Sequence, residues 1–187
     1  MKYLKKLVGD RIYLSPRNPE DYEKFAEWLN DFNTTDYVGY SGKLMSIPGE
    51  KEYLEQNNNP ESTFSIVTLD EDKLIGTVSL EQVDNINRTA TLGIFIGDTD
   101  YRSKGYGTEA IRLILEFGFR YKNLHNINLD LMAFNERAYK CYLKCGFKEY
   151  GRRRNCKYIN GKYYDKISMD ILEDEFEGDY IRNKNQK

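Results

Sequence analysis

A chain of 187 residues, 40% hydrophobic and 31% charged, can bury one sizeable core, and its balance excludes a disordered or fibrous protein. The formal charge of -2 excludes a general attraction for nucleic acid or anionic lipid, so any anion has to be held by a local arrangement. The basic start at residues 1–8 lacks an apolar run of signal or membrane-spanning length, mean hydropathy is -0.74, and a cytoplasmic protein is expected. The three cysteines (141, 145 and 156) and the single His125 lack the paired spacings of a zinc site, so no metal is expected and Cys141 and Cys145 read as ordinary helix residues.

In chain order, residues 11–15 alternate as a short strand. Pro16 to Pro19 punctuate, and a helix that includes Phe25, Ala26, Trp28 and Leu29 follows over about 20–30. Residues 31–47 mix Asp, Asn, Thr, Gly and aromatics without a period and read as a long, shaped loop. A second helix over about 49–58 stops at the Asn57 to Pro60 run. Three antiparallel strands are predicted at 63–69, 73–83 and 88–96, with turns at Asp70–Asp72 and Asp84–Asn87. A helix over 105–122, a strand at 126–132 and a helix over 135–144 come next. Strands at 147–154 and 163–171 close the chain around an Asn160-Gly161 hairpin turn. The pattern predicts one domain, with a core over about 10–172 and a frayed tail at 178–187.

The chemistry begins where strand 88–96 runs into Arg102-Ser103-Lys104-Gly105-Tyr106-Gly107-Thr108 and then a helix. Free N–H groups at a helix start, the positive end of its dipole and glycines that admit close approach make a phosphate cradle. The helix behind the cradle has an apolar stripe at Ala110, Ile111, Ile114, Leu115 and Gly118, with Arg112, Glu116 and Arg120 on the other side. Gly105-x-Gly107-x-x-Ala110 also satisfies the dinucleotide fingerprint, with Asp130 placed for a ribose, so an NAD(P)-dependent oxidoreductase stays open on this motif alone. A Walker loop does not fit, because no Lys-Ser/Thr follows the second glycine.

A second motif occupies 135–147. Asn135 and Tyr142 lie seven residues apart and so on nearly one helix face, with Ala138 and Tyr139 between them. Arg-x-x-Gly-x-Gly at a helix start, followed by Asn-x-x-Ala-x-x-x-Tyr-x-x-x-Gly-Phe, resembles the GNAT N-acetyltransferase superfamily, and within it the ribosomal-protein and spermidine acetyltransferase branch (Rim and Spe types). The branch is marked further by Gly105 to Ala110, Gly151 to Arg154 and Asn160 to Asp165.

The resemblance implies an α/β fold with a mixed, mostly antiparallel sheet that splays between the parallel strands 88–96 and 126–132, flanked by about four helices, with acetyl-CoA in the gap. It implies that the backbone of Phe95, Ile96 and Gly97 pairs with the pantetheine arm. It places the pyrophosphate on Arg102, Ser103, Lys104, Gly105, Tyr106, Gly107 and Thr108, and Asn135 and Ala138 beside the arm. Tyr142 becomes the acid for the departing thiolate, with Asn135 ordering the site. Many relatives carry Glu where this chain has Thr91, so Glu81, Glu109 or water stands in for the base. The acceptor, a small-molecule amine such as a polyamine or a protein N-terminus, would be gripped by the 31–47 segment with Trp28, Asp31, Asp36, Tyr37 and Tyr40, together with Glu81. No nucleic acid or membrane partner is expected, a homodimer is expected by analogy, and a CoA-binding module without chemistry is the remaining alternative.

Overall fold

The computed structural model describes residues 2–57, 59 and 61–183. Its centre is an eight-stranded sheet: β1 (Leu7–Val8), β2 (Ile12–Pro16), β3 (Thr63–Thr68), β4 (Leu74–Asp84), β5 (Thr89–Ile96), β6 (Asn126–Met132), β7 (Lys148–Ile159) and β8 (Lys162–Leu172), in the spatial order β1-β2-β3-β4-β5-β6-β8-β7. Every neighbouring pair is antiparallel except β5 with β6, whose one crossover is the helix α4 (Tyr106–Tyr121). This is the mixed sheet expected from the sequence. The Asn160-Gly161 turn has φ of 46° and 78°, the left-handed pair that a two-residue hairpin needs.

The β5 to β6 ladder holds only at Thr89–Asn126, Ala90–Ile127 and Thr91–Asn128, after which the strands part. Asn128 sits at the fork: its Nδ2 donates to Ala90 O at 3.1 Å, and its Oδ1 accepts from Thr91 Oγ1 at 3.1 Å. The side-chain amide ends the pairing there and keeps the fork satisfied.

Both faces of the sheet are covered. On one, α4 packs Ala110, Ile111, Leu113 and Ile114 onto Ile12, Ile66, Val78, Leu80 and Ile127, and α5 (Glu136–Lys144) adds Tyr142. On the other, α1 (Tyr22–Leu29) and α3 (Ile47–Gln56) bury Phe25, Trp28 and Leu54 against Tyr13, Val67 and Leu74.

Two expectations are corrected. Residues 31–47 contain a helix, α2 (Phe32–Val38), so among the described residues five helices flank the sheet, in keeping with the about four expected. Asp31 caps it by accepting from Asn33 N, and Gly39 ends it at φ 78°. The second helix begins earlier, at Ile47 behind a Ser46 cap; Asn58 and Pro60, at its expected stop, lie outside the described residues.

The tail is docked as far as it is described. Ile181 is buried, its N–H and that of Tyr180 donate to Glu116 Oε2, and Arg182 pairs with Asp10 at 2.9 Å. Glu116 is therefore buried under the tail instead of facing solvent, and burial of the Ile181 side chain contributes roughly 1.5–3 kcal/mol. Residues 184–187 lie outside the described range.

Candidate active site

The fork opens into a cavity of about 1080 Å³ that runs along β5, past the start of α4 and one face of α5, to α1, α2, α3 and the ends of β2 and β3. At the α4 end the exposed groups are backbone. Gly105 holds φ 89°, a conformation that suits glycine, and the helix starts with no side-chain cap, so its first N–H groups are left for a ligand. Ser103, Gly105, Gly107 and Thr108 line the cavity here, as do Phe95 and Ile96 from the edge of β5 that β6 has left. An anion at the helix start and an extended polar arm along β5 fit these groups, which are the two halves of a CoA ester.

Lys104 and Tyr106 do not line the cavity with their side chains. Lys104 O accepts from Arg11 Nη1 at 2.9 Å, and the Tyr106 ring packs on Tyr101 and under the Arg11 guanidinium. Gly97 is also turned away: a Cβ there would lie 2.0 Å from Trp28 Cδ2, so the strand end can pass Trp28 only as glycine. Arg102 lines the cavity, but its guanidinium is engaged. Nε donates to Ile96 O at 2.8 Å, Nη1 to Asn33 O at 3.0 Å, and Nη2 to Thr34 Oγ1 at 2.6 Å and Gly97 O at 3.0 Å. The side chain therefore clamps the loop after β5 to α2.

On α5, Asn135 is the helix cap, its Oδ1 accepting from Ala138 N at 3.1 Å, which leaves the Nδ2 end of the buried amide for a ligand. Ala138 and Tyr142 share the same wall. Tyr142 is only 8% exposed and its ring meets Phe147 edge-on at 5.7 Å. Burial first, then the neighbouring Cys141 and Cys145, push its phenol well above the ordinary tyrosine range, so the hydroxyl keeps its proton at neutral pH.

Cys141, read from sequence as an ordinary helix residue, also faces the cavity, 3.2 Å from Thr108 Oγ1. A hydrogen bond from Cys145 is the main cause that draws its thiol below the usual value.

The residues expected to grip an acceptor divide. Tyr37, Tyr40 and Glu81 line the cavity, and Glu81 Oε1 accepts from Ser79 Oγ at 2.8 Å. Trp28 does not: it is 4% exposed and stacks edge-on with Phe25 and Phe95 in the core. Asp31 is occupied as the α2 cap and, like Asp36, is not part of the wall. Glu109 is taken as well, since Oε1 accepts from the N–H groups of Asp10, Arg11 and Ile12 and Oε2 pairs with Arg11 Nε at 3.0 Å.

Asp130, the acid a dinucleotide site would need, is closed by Lys166 at 2.7 Å and Ser168 Oγ at 2.6 Å. Sequence reasoning missed Arg17, just after β2, and Glu50 and Tyr53 on α3, which line the far end of the cavity from two separate segments. Arg17, Lys43, Arg102, Arg137, Lys140, Lys144, Lys157 and Lys166 stand on the walls against Glu50, Glu81 and Asp130, a cationic balance that suits phosphate.

Residues 11–148 match the Acetyltransferase (GNAT) domain family. The chain belongs to the GNAT family. It is 33% identical over 177 residues to a probable N-acetyltransferase, YjcK, of Bacillus subtilis, covering 89% of this chain and 96% of that one. It is 30% identical over 182 residues to the putative ribosomal N-acetyltransferase YdaF of the same organism, covering 92% and 97%. The solved structure of spermidine N-acetyltransferase from Vibrio cholerae in complex with CoA and spermine superposes with a TM-score of 0.79 at 27% identity, covering 88% of this chain and 96% of that one.

The Rim and Spe branch expected from the motifs is the one these relatives represent. The protein is an acetyl-CoA-dependent N-acetyltransferase. Among the described residues, no group of three or more His, Cys, Asp or Glu side chains could hold a metal ion, and no helix is long and apolar enough to cross a membrane.

Proposed function

We propose that one domain spanning the chain transfers acetyl directly to a primary amine, with Tyr142 as the general acid. The observation that carries the proposal is the single cavity that joins the bare α4 start and the open β5 edge to a side-chain-lined lobe, with the protonated Tyr142 hydroxyl on its wall.

Backbone N–H groups from Ser103 to Thr108 hold the pyrophosphate, with Lys140 and Lys144 adding charge. Phe95 and Ile96 present the strand edge to the pantetheine arm, and Asn135 Nδ2 and Ala138 form the facing wall. Acetyl-CoA supplies a thioester carbonyl to be attacked and a thiol-derived leaving group.

Tyr142 Oη holds the proton that the leaving sulfur needs, and burial keeps it there until a thiolate with an ordinary pKa of about 8.5 develops beside it. Backbone N–H groups near Phe95 and Ile96 face the carbonyl oxygen. Glu81, whose Oε2 is left when Ser79 takes Oε1, receives the incoming ammonium and its proton. The acceptor is a small amine or the amine end of a peptide.

The test is thiol release from acetyl-CoA against polyamines, amino sugars, amino acids and short peptides. Release with at least one primary amine, together with an acetylated product, supports the proposal. Tight CoA binding without release for any amine would instead make the chain a CoA-binding module.

A further inference from the structure

The cofactor loop is also held from outside the cavity. Ser103 has φ 60° and Gly105 has φ 89°, two left-handed residues within three, and the first is not a glycine. Such backbone persists only where its surroundings fix it. Arg11, at the turn between β1 and β2, does so. Its Nη1 donates to Lys104 O at 2.9 Å, its Nε donates to Glu109 Oε2 at 3.0 Å, and its guanidinium lies 4.4 Å over the Tyr106 ring. One side chain thus joins the end of the loop to the first turn of α4.

Arg11 is itself fixed by the residue it pairs with. Glu109 Oε1 accepts from the N–H groups of Asp10 and Arg11 at 2.8 Å and of Ile12 at 3.3 Å, so the turn nests on the carboxylate. Gly9 makes room for that approach, since a Cβ there would lie 2.6 Å from Oε1. The fit is as close at the other end: a Cβ on Gly105 would lie 3.1 Å from Arg11 Nη2.

In a trans peptide the carbonyl and the following N–H point in opposite directions, and the described peptides are all trans. Lys104 O points at Arg11, which does not line the cavity, so the Gly105 N–H points the other way, into the cavity that Gly105 lines. Without the guanidinium this peptide can rotate, and glycine permits the new conformations. Arg11 is nearly half exposed, so its ion pair contributes little to the stability of the fold.

Resting on the pyrophosphate placement proposed above, we propose that Arg11 is a positioning residue for acetyl-CoA, acting from outside the cavity through the Lys104 carbonyl to aim the Gly105 N–H at the pyrophosphate.

Acetyl-CoA and acetyl-pantetheine, which has the same thioester and arm without the pyrophosphate, test this as alternative donors. Thiol release with the best amine gives kcat and KM for each. The wild-type protein is expected to favour acetyl-CoA in kcat/KM. Arg11→Ala is expected to raise KM for acetyl-CoA about tenfold, the effect of losing one charge-assisted hydrogen bond. Its kcat, its KM for the amine and its kcat/KM for acetyl-pantetheine are expected to stay unchanged. Arg11→Lys keeps one donor for Lys104 O and is expected to give an intermediate rise; should Arg11→Ala fail to fold, the same comparison is read from this variant.

A merely structural role would lower turnover of both donors alike and overturn the proposal. Wild-type preference for acetyl-CoA that both variants retain in full would overturn it and leave the pyrophosphate placement standing. Equal use of the two donors by the wild-type protein would overturn the placement and the proposal with it.

Discussion

At the α4 start and the β5 edge the groups that face the cavity are mainly backbone, and at the α3 end they are side chains. The cofactor end needs glycines at set places, a bare helix start and a strand edge released at Asn128. The far end is assembled from Arg17, just after β2, and from polar side chains of α2, α3 and β4 that share one wall. Backbone recognition fixes spacing and so constrains which residues can stand in a loop. Side-chain recognition fixes only where distant segments meet, and it can change partner with single substitutions.

The comparison can be broken at the point where the two ends touch. Gly97→Ala places a methyl inside the Trp28 ring and forces the end of β5 off the α1 face. The overpacking is expected to cost about 3 kcal/mol, lowering Tm by roughly 6–12 °C. An unchanged Tm in thermal denaturation would show that the strand end yields freely.

A smaller loss is expected of Arg102→Ala, which removes the clamp between the loop after β5 and α2: about 2 kcal/mol by denaturant titration, from charge-assisted bonds to Ile96, Gly97, Asn33 and Thr34. Because the side chain touches both ends, KM is expected to rise for acetyl-CoA and amine together. A rise for acetyl-CoA alone would return Arg102 to a phosphate role.

The smallest effect concerns Asp98, just before the cofactor loop. Burial alone would raise its carboxyl, but Lys73 at 2.9 Å and the Asp100 N–H overbalance it and hold the group below the usual range. An acid depressed in the folded state stabilises above its unfolded pKa of about 3.9 and loses that contribution as pH falls through the folded value. Asp98→Asn is therefore expected to lose less stability than the wild-type protein between about pH 5 and pH 3, measured by urea unfolding.

The same division explains what could be read before any coordinates. The 102–108 loop and the Asn135 to Tyr142 face were legible because each lies within one short stretch whose period and glycines are visible in order. The meander, the single helical crossover and the closing hairpin followed from turn residues and element order, whereas the short β1 and the pairing of β8 instead of β7 with β6 carry no local signal. Helix α2 was missed because Asn33, Thr34 and Thr35 are weak helix formers, although Asp31 and Gly39 bracket it with the caps such a helix needs.

Trp28 and Asp31 have the chemistry of a binding site, but packing against Gly97 uses the first and helix capping uses the second. Arg17 and Glu50 gave no signal at all, since nothing local distinguishes an arginine after a strand or a glutamate in a first turn until the fold leaves their atoms bare.

The Tyr142 hydroxyl is the side-chain group from which the proposed chemistry takes the leaving group's proton. Tyr142→Phe keeps the ring against Phe147 and removes only the proton. With saturating acetyl-CoA and the best acceptor found, steady-state thiol release should fall by about a hundredfold or more while calorimetry gives an unchanged Kd for acetyl-CoA. Full turnover by the variant would contradict the assignment.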